Sequence, residues 1–161
     1  MQKTITNLQL RVARLVLGIG VREIGMQLGV SGAAICQWEN KNIFHLSHQR
    51  SSLLIHYFHQ RKIIFPAENS IAFISNLNKS NTNTTNTQLT RFQLRAARNA
   101  LNLTQIELAK SIGVYTHIIE KNENLDNEEY IRSEKKDILI KIKNWFEEHN
   151  IKVNNDFSVS F

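Results

Sequence analysis

Apolar residues recur at spacings of three and four between positions 8 and 60, and the same spacing returns between 90 and 149. The pattern predicts helices over Leu8–Leu17 and Val21–Leu28, and again over Thr90–Leu101 and Gln105–Ile112. A third, shorter helix follows in each half. In the first half it lies within Leu28–Asn40: Gly29 can take positive φ and end the preceding helix, and Ser31 can cap the next one. Here Val30, Ile35 and Trp38 are expected to face inward, leaving Gly32, Ala33, Cys36 and Gln37 outside. Its counterpart is Thr116–Asn122. Longer amphipathic helices are predicted over Ser47–Gln60, with Leu53, Leu54, Tyr57 and Phe58 apolar, and over Ile131–His149, with Ile138, Leu139, Ile142, Trp145 and Phe146 apolar. Each half closes on two short β-prone runs around turn-forming residues: Ile63–Phe65 and Ile71–Phe73 around Pro66–Ser70, then Ile151–Val153 and Ser158–Phe161 around Asn154–Asp156. Both read as hairpins.

The two halves are an internal duplication. Arg11 and Arg95, Gly29 and Gly113, and Glu39 and Glu123 are each 84 residues apart. Phe58 and Phe146, and Ile63 and Ile151, are 88 apart, so the second repeat carries four extra residues, expected in the polar stretch Asp126–Glu129. Between the repeats Asn76–Gln88 is mostly Asn, Thr and Ser and reads as a flexible linker.

Charge separates the repeats. Residues 1–80 hold 9 Lys and Arg against 3 Glu, whereas 81–161 hold 11 basic and 11 acidic residues, so the whole net charge of +6 lies in the first part. An acidic partner such as nucleic acid fits that part. Small and amide-bearing side chains at the exposed start of the third helix are what a DNA major groove can admit. Cys36 is the sole cysteine, so no intrachain disulfide forms, in keeping with a reducing cytoplasm. No apolar run spans a bilayer and no signal peptide is evident. His45, His48, His56 and His59 pair at helical spacing without a Cys or carboxylate cluster, so they read as surface histidines and no metal is expected. No nucleophile–base pair, phosphate-binding glycine loop or metalloprotease spacing is present. An enzyme is not expected, and neither is a cofactor.

Leu8–Ile43 and Phe92–Leu125 resemble the phage-repressor-like, Cro- or XRE-type helix-turn-helix family, in tandem; the later helix and hairpin resemble the C-terminal extension of some small members. The resemblance implies a mainly α fold: two helix-turn-helix domains, each with a C-terminal β-hairpin, over 1–75 and 89–161, joined by the linker at 76–88. In the family a capping residue and a phosphate-contacting Gln open the second helix; here these match Thr104 and Gln105, whereas the first repeat has Gly20 and Val21. The base-facing positions match Gly32, Ala33 and Gln37, and Thr116, His117 and Lys121; Tyr115 stands where a small cap is usual. The family's structural ion pair implies Arg14 with Glu39 and Arg98 with Glu123. Phosphate contacts are expected from Arg11, Arg22 and Lys41, with Ser31 and Asn40 at the two ends of the third helix completing the DNA-binding set.

The function implied is sequence-specific double-stranded DNA binding by a transcriptional regulator, expected to repress, acting as a homodimer in a bacterial or phage-like cytoplasm. The alternative is an antiactivator or antitoxin-like module that holds a protein partner. The neutral second repeat, with Glu120 on its outer face, is open to either.

Overall fold

The structure, a computed structural model, describes residues 4–42, 44–75, 88–124, 126–131, 136–154 and 157–161. The expected linker at 76–88 lies outside them except for Gln88, as do the tips of two motif matches, Ile43 and Leu125, and the turn residues Asn155 and Asp156. The chain forms two compact units, Met1–Ala72 and Phe73–Phe161. It is mainly helical, with a small amount of antiparallel sheet.

The first unit holds α1 (Asn7–Leu17), α2 (Val21–Leu28), α3 (Gly32–Glu39), α4 (His48–His59), β1 (Ile63–Ile64) and most of β2 (Ser70–Phe73). The second holds α5 (Arg91–Ala100), α6 (Gln105–Ile112), α7 (Thr116–Glu123), α8 (Lys136–Glu148), β3 (Lys152–Val153) and β4 (Ser158–Ser160). The β3 and β4 strands pair antiparallel, Lys152 opposite Ser160 and Val153 opposite Val159.

Local chemistry sets the helix ends alike in both units. The Thr6 hydroxyl accepts from the Gln9 N–H, and the Gln9 side-chain oxygen accepts from the Thr6 N–H. Thr90 and Gln93 repeat this reciprocal cap. The same glutamines have a second task. Gln9 Nε2 donates to the carbonyls of Ala67 and Ser70 at 2.7 and 2.8 Å, and Gln93 Nε2 donates to those of Asn154 and Ser158 at 2.6 and 3.3 Å. Each buried amide thus joins the start of its unit to the hairpin turn at the end. After the first helix the chain turns in the left-handed region at Gly18 in one unit and Asn102 in the other, 84 positions apart. Lys62 and Asn150, 88 apart, do the same before β1 and β3.

The apolar residues close one core per unit. Leu10, Ile24, Ile35, Leu54, Phe58, Ile63 and Ile71 are buried in the first, and Phe92, Leu94, Leu108, Ile119, Phe146 and Val159 in the second. Four residues expected to pack inward lie off these stripes. On α4 the buried line is Ser51, Leu54, Tyr57 and Phe58, so Leu53, one position aside, is 51% exposed. Trp145 sits on the shoulder of the Ile142–Phe146 line, half-buried, its ring stacked on His149 at 3.8 Å. Trp38 is half-buried under the Arg50 guanidinium, 4.6 Å from its ring. Val30 too is only half-buried.

Two boundaries differ from expectation. The Ile131 N–H donates to the Leu89 carbonyl beside a bridge between Thr90 and Tyr130, so Ile131 lies outside the helix and α8 begins later, at Lys136. This also relocates the four extra residues. The Asn7 N–H meets the Phe44 carbonyl and the Arg91 N–H meets that of Glu129, a shift of 85. Only one extra residue therefore lies before Glu129, and the other three enter between Ile131 and Phe146. Finally, Phe73 groups with the second unit, where its N–H donates to the Phe157 carbonyl and its ring lies 5.5 Å from that of Phe92.

Candidate nucleic-acid interface

Helix α3 is fixed at both ends. At its start Ser31 Oγ accepts from the Ala34 N–H at 3.2 Å. The turn leading to it is tight: the Val30 N–H donates to the Gly25 carbonyl at 2.9 Å. At its end Asn7 Nδ2 donates to the carbonyls of Trp38 and Lys41, and Asn7 Oδ1 accepts from the Phe44 N–H. The Arg14 guanidinium makes two parallel bonds to Glu39, Nε to Oε1 at 2.8 Å and Nη2 to Oε2 at 2.7 Å. Its Nη1 donates to the Ile19 carbonyl. Both side chains are nearly buried, so this fork-to-fork geometry locks α1 against α3 in a desolvated setting.

The residues left outside are Ala33, Cys36, Gln37 and Asn40, all exposed and spaced i, i+3, i+4, i+7 along one face. Arg22 and Lys41 are also exposed. Gly32 is half-buried: a Cβ there would lie 3.2 Å from Arg22 Cγ, so its hydrogen lets the Arg22 stem lie against the start of α3. Arg11 is not an open surface cation. It is half-buried beside Glu39 and Arg14, and desolvation holds its guanidinium pKa below the usual value, with Glu39 opposing the shift and Arg14 adding to it.

The second unit builds the same frame with different contents. Arg98 forks onto Glu123 at 2.5 and 2.7 Å and donates to the Leu103 carbonyl. Thr104 caps α6 and exchanges bonds with Glu107, which holds the Glu107 carboxyl below the usual carboxylate range. Gln105, matched to a phosphate contact, is half-buried and donates from Nε2 to Glu123 Oε2 at 2.9 Å. The outer face of α7 is His117, Glu120, Lys121 and Asn124, all exposed; Thr116 is half-buried. Tyr115 provides no side-chain cap and stacks on His117, ring centroids 5.7 Å apart.

Several contributors were not expected from sequence. Arg91 donates from Nε to the Glu123 carbonyl, and Arg95 is half-buried with Glu123 opposing its desolvation. Arg95 stands 84 positions after Arg11, so the repeat offset alone would have found it. A second cluster joins α2 to α4: the Tyr57 hydroxyl donates to Glu23 Oε1 at 2.5 Å and the Arg61 guanidinium lies 3.6 Å over the Tyr57 ring. Burial and the Glu23 bond push the Tyr57 pKa up to about 12. Among the described residues no group of three or more His, Cys, Asp or Glu could hold a metal ion, and no helix is long and apolar enough to cross a membrane. Comparisons of the chain with protein-family models, curated proteins and solved structures find no match.

Proposed function

We propose that the chain is a sequence-specific double-stranded DNA-binding transcriptional regulator of the Cro- or XRE-type helix-turn-helix kind, a repressor, with two such units in tandem. One observation carries the reading: α3 is anchored at both ends by buried polar contacts, while Ala33, Cys36, Gln37 and Asn40 form one exposed face with exposed Arg22 and Lys41 in the same unit. A base-reading helix needs that combination, because contacts to base edges tolerate little misplacement. In this reading Gln37 pairs with adenine in the major groove, Ala33 meets a thymine methyl, and Arg22 and Lys41 neutralise phosphates. The net charge of +6 carried by residues 1–80 agrees with it.

The test is selection of bound duplexes from a random pool, followed by a salt titration on the recovered site. Recovery of a defined sequence with a steep loss of affinity in salt supports groove binding. Failure to enrich any sequence overturns it. A protein-holding module remains the second reading for the second unit, favoured there by the exposure of Ile106 at 52% and Tyr115 at 76%.

A further inference from the structure

The arginines of α5 crowd one glutamate. Arg91, Arg95 and Arg98 stand at i, i+4 and i+7, on one side of the helix. The Glu123 carboxylate already accepts three bonds, two from Arg98 and one from Gln105 Nε2, and the Glu123 carbonyl takes Arg91 Nε. Arg91 also donates to Asn127 Oδ1. Arg95 lies between two like charges, Arg91 and Arg98; Glu123 offsets part of this charge for Arg95, and Asp126 does so for Arg91. The buried Nε of Arg95 has no hydrogen-bond partner among the described residues. One turn on, Asn99 is only 6% exposed. Its Oδ1 accepts from Arg98 Nη1, and its buried Nδ2 has no partner among the described residues. Side chains on a helix lean toward its N-terminus, so Asn99 covers the turn that carries Arg95. Buried donors without acceptors are costly. Two of them one turn apart, beside crowded positive charge, suit a bound anion.

We propose that Arg95 and Asn99 form a binding site for a phosphate-class oxyanion in the second unit. The guanidinium supplies charge and a fork of N–H donors, and the Asn99 amide supplies one more. A carboxylate that fills the fork has both oxygens used. A tetrahedral oxyanion keeps a further oxygen for the amide one turn away, which selects the phosphate class. The same anion relieves the repulsion that Arg95 meets from Arg91 and Arg98. Arg95 is half-buried and keeps part of its surface in solvent, which leaves the anion a way in. The first unit lacks the second donor: Leu15 stands 84 positions before Asn99. Two sources share this chemistry, a free phosphate compound and the backbone of a nucleic acid. The site is independent of base reading by α3. Binding of a free anion is measured without DNA, so a first unit that binds no duplex leaves it standing.

Titration of the full chain with inorganic phosphate, at constant ionic strength held by chloride, tests the site. Saturable binding to the parent is expected by calorimetry, together with a saturable shift of the Asn99 side-chain amide resonance. The shift is read on the parent and does not depend on how well a variant folds; Asn99→Leu assigns the signal. Arg95→Met is expected to weaken phosphate binding about tenfold or more. Asn99→Leu, the change to the side chain of the first repeat, is expected to weaken it less. Acetate is expected to bind more weakly than phosphate. A duplex of random sequence identifies the source. Competition by phosphate for that duplex, lost in Arg95→Met, assigns the site to a nucleic-acid backbone. Duplex binding indifferent to phosphate and to Arg95→Met assigns it to a free phosphate compound. Four results overturn the proposal: no saturable phosphate binding, an Asn99 resonance that stays fixed while phosphate binds, Arg95→Met binding phosphate as tightly as the parent, or acetate binding as tightly as phosphate.

Discussion

Gly25 and Val30 approach so closely that a Cβ on Gly25 would lie 2.5 Å from the Val30 carbonyl oxygen. The same Val30 residue donates its N–H back to the Gly25 carbonyl, so the turn between α2 and α3 cannot easily open. Gly25→Ala is expected to destabilise the first unit by about 1–3 kcal/mol, the usual range for forcing a methyl into packed backbone. At the equivalent position the second unit has a buried alanine, Ala109, whose turn retains the matching bond from Val114. Denaturant unfolding of Gly25→Ala, with Ala109→Gly as the contrast, checks this; an unchanged midpoint for Gly25→Ala would count against the close approach.

The fork between Arg14 and Glu39 makes a second expectation. Removing either partner leaves a charge buried without its complement, at a cost of about 3–5 kcal/mol. Removing both should cost much less than the sum of the single changes, because desolvation of the pair offsets its attraction. A double-mutant cycle on Arg14→Met and Glu39→Met, read by unfolding free energy, measures the coupling. Additive effects would contradict the geometry.

Tyr57 links stability to alkaline pH. Its pKa is raised from 10 to about 12 by burial first and then by the bond to Glu23. Between those values the unfolded chain releases the phenolic proton while the folded chain keeps it. The stabilisation is therefore complete below pH 10 and is lost as pH climbs through 12. Unfolding free energy measured across this interval should fall with pH in the parent and fall less in Tyr57→Phe. A parallel decline in both would remove Tyr57 as the cause.

Gln37 and Arg22 should divide specificity from affinity. Gln37→Ala is expected to cost about 1–3 kcal/mol on the selected duplex and to relax sequence choice, with little change on random DNA. Arg22→Ala should weaken every sequence alike and flatten the salt dependence. Binding isotherms at several salt concentrations separate the two; a Gln37→Ala protein that holds the selected site as tightly as the parent defeats the assignment.

Features decided by near neighbours in the chain were legible in the sequence. Ser31 and Thr104 announce their caps because the amides they serve are three residues away. Gly29 announces its turn because only its own φ, here +64°, is at issue. What escaped were side chains whose partners lie far along the chain. Asn7 reaches Lys41, and Arg50 covers Trp38, across tertiary contacts that no periodicity encodes. Leu53 shows the limit of apolar counting: one step around α4 from a buried line turned it to solvent. Gln105 illustrates the same for the candidate site, since its amide is spent on Glu123, 18 positions away.

The two glutamines bear on how the protein emerges from a ribosome. Gln93 meets Ser158 across 65 residues and Gln9 meets Ser70 across 61. At synthesis rates of about 5–20 residues per second, roughly 3–13 s separate each glutamine from its last acceptor. Until then the Nε2 donors lack these carbonyls and are served by water, and burying them would leave them unmatched. Each nascent unit must therefore stay open at its beginning until its closing hairpin is made, and the first can shut while the second is still being translated.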